Sequence, residues 1–162
     1  MKNKQQLTMY GVGPAYVYTI ILLTASGMGL SASGKLPVIR FDFLKIPLTV
    51  LGIAMILFGA LLWVLAVFKS KIDKDIKSNT LVTSGVYAYV RNPIYSAFMI
   101  ACTGVLLIYG NLCLLVLPII FWMFLTALIK NTEEKWLSEL YGEEYEEYCR
   151  KVNRCIPWVK KV

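Results

Sequence analysis

The sequence predicts an all-α integral membrane protein with about four transmembrane helices and room for a fifth short one. Three observations carry that prediction. Hydrophobic residues make up 57% of the 162 and mean hydropathy is +0.60, beyond the roughly half-apolar composition of soluble domains. The runs 13–30, 46–68 and 112–129 contain no charged residue, and about 20 apolar residues cross a ~30 Å hydrocarbon core. Lys and Arg are also shared unequally between successive loops, as the topology rule for crossing helices requires.

The first run lacks a small-x-small cleavage site followed by a polar segment, so it reads as a span rather than a signal peptide. Ser26, Gly27, Gly29, Ser31, Ala32 and Ser33 crowd its second half, and small residues let helices approach closely. The pairs Gly11/Gly13 and Gly27/Gly29 follow no strand, which argues for packing over a phosphate loop. The second span is expected to start at Pro47, a good first-turn residue, with Trp63 as an interfacial anchor near its far end. Lys69–Lys77 alternates charge and reads as a solvated extension.

Ile94–Tyr109 is a shorter apolar run, roughly 24 Å long as a helix. Gly110-Asn111 is the only polar break before the next span, so 94–130 is expected to form a tight helical hairpin, kinked at Pro118. Beyond it, Leu137, Tyr141, Tyr145 and Tyr148 share one helical face, and Gly142 divides two short helices. This amphipathic segment is expected on the cytoplasmic side. Of its seven glutamates, 139, 143, 144, 146 and 147 read as a charged outer face. Glu133 and Glu134 stand at the exit of a span, where an acid is a functional signal.

With the N-terminus inside and four crossings, 14 Lys and Arg fall on the inner side and 3 on the outer. The formal charge of +7 therefore reads as membrane topology and contact with anionic lipid rather than nucleic-acid binding. The four cysteines show no Cys-x-x-Cys spacing and the chain has no histidine. That composition argues against a metal site.

The polar, turn-rich stretch Leu81–Tyr95 lies between these spans and is too broken to be one. Its Gly85-x-Tyr87-x-x-Val90-Arg91-Asn92-Pro93-x-Tyr95, followed by Glu133-Glu134-x-x-Leu137-x-x-x-Tyr141-Gly142-x-x-Tyr145-x-x-Tyr148-x-x-x-Val152-x-Arg154-x-Ile156-Pro157, resembles two motifs of a known family. That family is the isoprenylcysteine carboxyl methyltransferases with the related phospholipid methyltransferases. The resemblance covers about half the chain, from 78 to 158, and divides it into N-terminal transmembrane helices (1–77) and a catalytic region (78–162).

The resemblance implies a membrane-embedded enzyme that uses S-adenosyl-L-methionine and has no Rossmann domain. By matching position, Gly85, Tyr87, Arg91, Asn92, Pro93, Tyr95, Glu133 and Glu134 would border the cofactor. Tyr145, Tyr148 and Arg154 would border a lipophilic or prenylated acceptor, and Arg154, Glu134 and Arg91 would carry catalysis. The site would face the cytoplasm, from the plasma membrane if the host is prokaryotic. The motif histidine is Asn92 here, and an amide cannot exchange a proton.

Chemistry adds one distinction. Methyl transfer from a sulfonium is an in-line displacement governed by positioning and desolvation. A carboxylate acceptor needs no general base, whereas a protonated amine must first lose a proton. With no histidine available, carboxyl methylation of an isoprenylcysteine-like acceptor is the first reading and N-methylation of an ethanolamine-type phospholipid the second. An NADPH-dependent sterol-type reductase and a non-enzymatic membrane scaffold complete the alternatives. They predict nicotinamide binding and no cofactor binding, respectively.

Overall fold

The computed structural model describes residues 12–69 and 80–158. The charged stretch predicted as a solvated extension therefore lies outside the described residues beyond Lys69, as do Gly11 and the terminal lysines. Among the described residues every named element is a helix. Helix α1 spans Gly13–Ala32 and α2 spans Asp42–Val64, ending in a widened π turn at Leu65–Lys69. A short 3-10 turn at Gly85–Ala88 leads into α3, Pro93–Tyr109. A second 3-10 turn, Leu112–Leu115, opens α4, Val116–Asn131, and the chain ends in α5, Glu133–Tyr141, and α6, Glu143–Lys151.

Three segments, Gly13–Ala32, Asp42–Phe68 and Leu112–Tyr141, are long and apolar enough to cross a membrane. Helix α3, with 17 residues, is shorter. It nevertheless lies antiparallel to α2 along its length, because small residues meet at both ends of the contact. A Cβ added to Gly52 would stand 2.6 Å from the Gly104 carbonyl oxygen, and one on Gly59 would stand 2.8 Å from that of Ala97. Seven residues separate the contacts on each helix, two turns of α-helix, so the same faces meet again. Backbones this close gain dispersion contacts that bulkier residues would forbid.

The predicted element boundaries need two corrections. Helix α2 begins at Asp42, and Pro47 lies inside it rather than in its first turn. Asp42 and Lys45 are exposed at the end of the helix, where charge costs little, so the helix extends past the uncharged run. Pro118 is in the first turn of α4, where its missing N–H has no intrahelical partner to lose. The direction change occurs earlier, at Gly110 (φ 76°) and the 3-10 turn. The hairpin and the division at Gly142 are as predicted. Gly142 adopts φ 56° and ψ −127°, a conformation open essentially to glycine alone.

The main core joins Tyr16 and Ile20 of α1, Met99, Cys102 and Leu106 of α3, and Phe121, Leu125 and Ile129 of α4. Cys155, from the segment after α6, inserts into it. A separate cluster of Tyr145, Tyr148 and Val152 packs on Leu81, Leu137 and Tyr141. The tyrosine face read from the sequence is therefore what seats α5 and α6.

Candidate active site

The segment Tyr89–Asn92 and the segment after α6 run side by side. Val90 and Asn153 form an isolated parallel bridge, with the Arg91 N–H donating to the Asn153 carbonyl at 2.9 Å. The Trp158 N–H reaches the Tyr89 carbonyl at 3.3 Å. Asn92 completes the seam by donating its side-chain N–H to the Arg154 carbonyl at 3.0 Å. An amide suits that role because it donates without titrating. The Asn92 carbonyl also accepts the Ser96 N–H and hydroxyl in the first turn of α3. Pro93 follows as the first, buried residue of that helix.

The seam delivers two arginines to one carboxylate. Arg91 Nη1 lies 3.0 Å from Glu134 Oε1. Arg154 approaches Glu134 with both arms of its fork, Nε to Oε1 at 2.6 Å and Nη2 to Oε2 at 2.8 Å, a bidentate pair of the strong kind. The side chains of Arg91, Glu134 and Arg154 are 8%, 13% and 28% exposed. Two cations on one anion leave this half-dry cluster with an unbalanced positive charge. Arg91 Nε is moreover buried without an acceptor, and a buried donor left unpaired is costly unless something completes it.

Cys149 joins the cluster, its sulfur in contact with Arg91 Nη1. Burial raises its thiol above the usual range, opposed by the Arg91 charge. The Glu134 hydrogen bond raises Arg154 further, so it is cationic throughout the working range. Burial likewise raises Tyr145 and Tyr148. Beside the cluster an open groove of about 410 Å³ runs between α5 and α6, with Glu134, Lys135, Ser138, Tyr145 and Cys149 in its lining.

The remaining predicted residues divide. Tyr148 donates its hydroxyl to the Tyr87 carbonyl at 2.6 Å, tying α6 to the 3-10 turn. Tyr145 packs tilted against Tyr148, ring centroids 6.3 Å apart. Gly85 sits exposed at the opening of that turn with φ 63°, and no neighbour would meet a Cβ there. Glu133 and Tyr95 bond to each other, apart from the arginines, at 2.7 Å. Sequence reasoning missed Cys149, Asn153 and Val12, whose N–H donates to Glu133. Only the pairing of distant segments brings the first two to Arg91, and Val12 meets Glu133 across 121 positions of chain.

A family model described as phospholipid methyltransferase matches residues 47–144. The chain is 39% identical over 88 residues to the protein-S-isoprenylcysteine O-methyltransferase of Schizosaccharomyces pombe, covering 54% of this chain and 37% of that protein. It is 34% identical over 123 residues to that of Xenopus laevis, covering 71% and 42%. With protein-S-isoprenylcysteine O-methyltransferase B of Arabidopsis thaliana it shares 30% over 117 residues, covering 67% and 58%. The chain thus spans about two fifths to three fifths of the length of these relatives. No solved structure matches it. The family match takes in α2, the Arg-Asn-Pro segment, the hairpin and the Glu pair, and on that ground the chain belongs to the phospholipid methyltransferase family.

Proposed function

We infer that this chain transfers a methyl group from S-adenosyl-L-methionine to a lipophilic acceptor, first of all to the carboxylate of an isoprenylcysteine-like substrate. The carrying observation is the Arg91–Glu134–Arg154 cluster, with its surplus positive charge and its unpaired Arg91 Nε. The residues fit the cofactor: its amino-acid carboxylate suits the free Arg91 donor, and its cationic groups suit Glu134. When bound, the cofactor supplies an activated methyl group on a sulfonium. The protein's part is to bind, orient and exclude water. Arg154, the more exposed of the two arginines, is placed to orient an anionic acceptor, and the groove between α5 and α6 gives access to Glu134. In this reading 78–162 is the catalytic region and α1 and α2 support it.

The membrane arrangement belongs to the same proposal. Helix α3 is the third of four crossings, and the cluster faces the cytoplasm, the side with most Lys and Arg. Because α3 is short, the bilayer thins beside it.

The description of the matched family supports a second reading, an ethanolamine-type phospholipid as acceptor. Calorimetric titration of the purified protein with S-adenosyl-L-methionine and its demethylated product tests the cofactor. Methylation assays with S-farnesylated N-acetylcysteine and with phosphatidylethanolamine vesicles separate the acceptors. Micromolar cofactor binding, lost in Glu134→Gln and Arg91→Ala, with turnover of the farnesylated thioether, is expected. Transfer to the phospholipid alone would select the second reading. Absence of binding by folded protein would overturn both.

A further inference from the structure

Glu133 and Glu134 are adjacent in sequence yet serve different neighbours. Successive helical residues point about 100° apart, and α5 begins at Glu133. Glu134 thus turns to the two arginines, while Glu133 turns to α1 and α3. Its Oε1 accepts two hydrogen bonds, one from the Tyr95 hydroxyl at 2.7 Å and one from the Val12 N–H at 3.2 Å. Val12 is the N-cap of α1, so that N–H belongs to the set of donors a helix start leaves unpaired. Three helices meet at a single oxygen.

The fit around that oxygen is tight. A Cβ added to Gly13 would stand 2.4 Å from Tyr95 Cε1, so only glycine leaves room for the ring against α1. The Tyr95 ring then continues into Tyr16 at 6.1 Å and Phe124 at 5.8 Å beyond it, joining α3, α1 and α4. Neither hydrogen bond requires a charge on Glu133, because an amide oxygen also accepts. A residue that binds a cofactor cation would require one.

We propose that Glu133 is a positioning residue, a hydrogen-bond-accepting latch that clamps the first turn of α1 over Tyr95, making α1 a wall of the site and leaving the cation work to Glu134. The inference rests on the methyltransferase reading for its kinetic arm only. Tyr95 lies in the first turn of α3, four residues beyond Arg91 on the chain, and its partner Glu133 adjoins Glu134, so the latch and the arginine cluster share two short segments.

Hydrogen exchange of the α1 first turn, cofactor calorimetry and acceptor kinetics on the full chain test the latch in Glu133→Gln, Glu133→Ala, Tyr95→Phe and Gly13→Ala. Loss of the latch in Glu133→Ala is expected to speed exchange at Val12–Tyr16 about tenfold and to lower kcat/KM for the acceptor by a similar factor, each tenfold being one lost hydrogen bond's worth. Tyr95→Phe and Gly13→Ala are expected to do the same in part, and they stand in if Glu133→Ala does not fold. Glu133→Gln is expected to retain cofactor affinity within about fivefold and to keep the slow exchange, since its oxygen still accepts. A loss of fivefold or more in cofactor affinity for Glu133→Gln would overturn the proposal, as would exchange at Val12–Tyr16 that none of the other variants changes. If the wild type binds no cofactor, the methyltransferase reading fails, and the exchange arm still decides the latch.

Discussion

The two ends of the helical bundle are stitched in different ways. At one end, Asn111 is fully buried and neutral, and its side chain is hydrogen-bonded at both atoms. Its Oδ1 accepts from the N–H of Ile39 at 3.0 Å and that of Cys113 at 3.2 Å, and its Nδ2 donates to Ser31 Oγ at 2.9 Å and the Pro37 carbonyl at 3.0 Å. One side chain binds the loop after α1 to the turn between α3 and α4. Nearby, Arg40 lies over the Tyr109 ring, 5.0 Å from its centre.

At the other end, Glu134 is shared by two arginines and an Arg91 donor is left unpaired. A satisfied neutral network rigidifies, whereas a cluster with excess charge and an open donor holds binding capacity in reserve at some cost in stability. On the proposed reading, the first end is structural and the second is the binding end.

Substitutions can break or sharpen that contrast. The largest effect is expected from Glu134→Ala, which leaves two arginines without their shared partner. Breaking a buried pair costs about 3 kcal/mol, so both the thermal midpoint and cofactor binding should fall. Calorimetry of both would detect a residue important for only one.

Asn111→Ala comes next. Stranding the donors and acceptors it satisfies should cost about 2 kcal/mol, and cofactor affinity in the remaining folded protein should be unchanged. A comparable drop in affinity would join the two ends functionally. Gly52→Val, whose side chain would drive into the Gly104 carbonyl, should cost about 1–3 kcal/mol through overpacking, measured by thermal unfolding in detergent.

A pH series gives a smaller effect. Burial lifts the Cys155 thiol from 9.0 to about 11. A group whose folded pKa is raised stabilises fully below its unfolded pKa and loses that contribution as pH climbs through the folded one. Stability should therefore decline between pH 9 and 11, and less steeply in Cys155→Ala. The smallest effect belongs to Lys151–Glu147, an exposed i,i+4 pair. Glu147→Gln should leave the unfolding midpoint where it was, because solvent screens such pairs.

Much of this was legible in the chain. Charge-free runs long enough for a bilayer placed α1, α2 and α4, and the break at Gly110-Asn111 placed the hairpin. The tyrosine spacing gave the buried face of α5 and α6, and the motif pair named Arg91, Glu134 and Arg154, which the fold brings into one ion-pair cluster. These features are local, set by hydrophobic length, helical periodicity and glycine punctuation, and so can be read one segment at a time.

Other features required the tertiary structure. Which arm of which arginine meets Glu134 depends on the parallel seam between Val90 and Asn153, and no local pattern encodes a pairing across that distance. The split between Glu133 and Glu134 depends on the start of α5 and on the return of Val12 to the same face of the bundle. Asn111 looked like a turn residue and is instead the most heavily bonded buried amide at its end of the fold. Sequence alone determined which segments are helices and which faces of α5 and α6 are apolar. Their partners were decided only when the helices packed, because a hydrogen bond depends on distance and direction between groups that the chain keeps far apart.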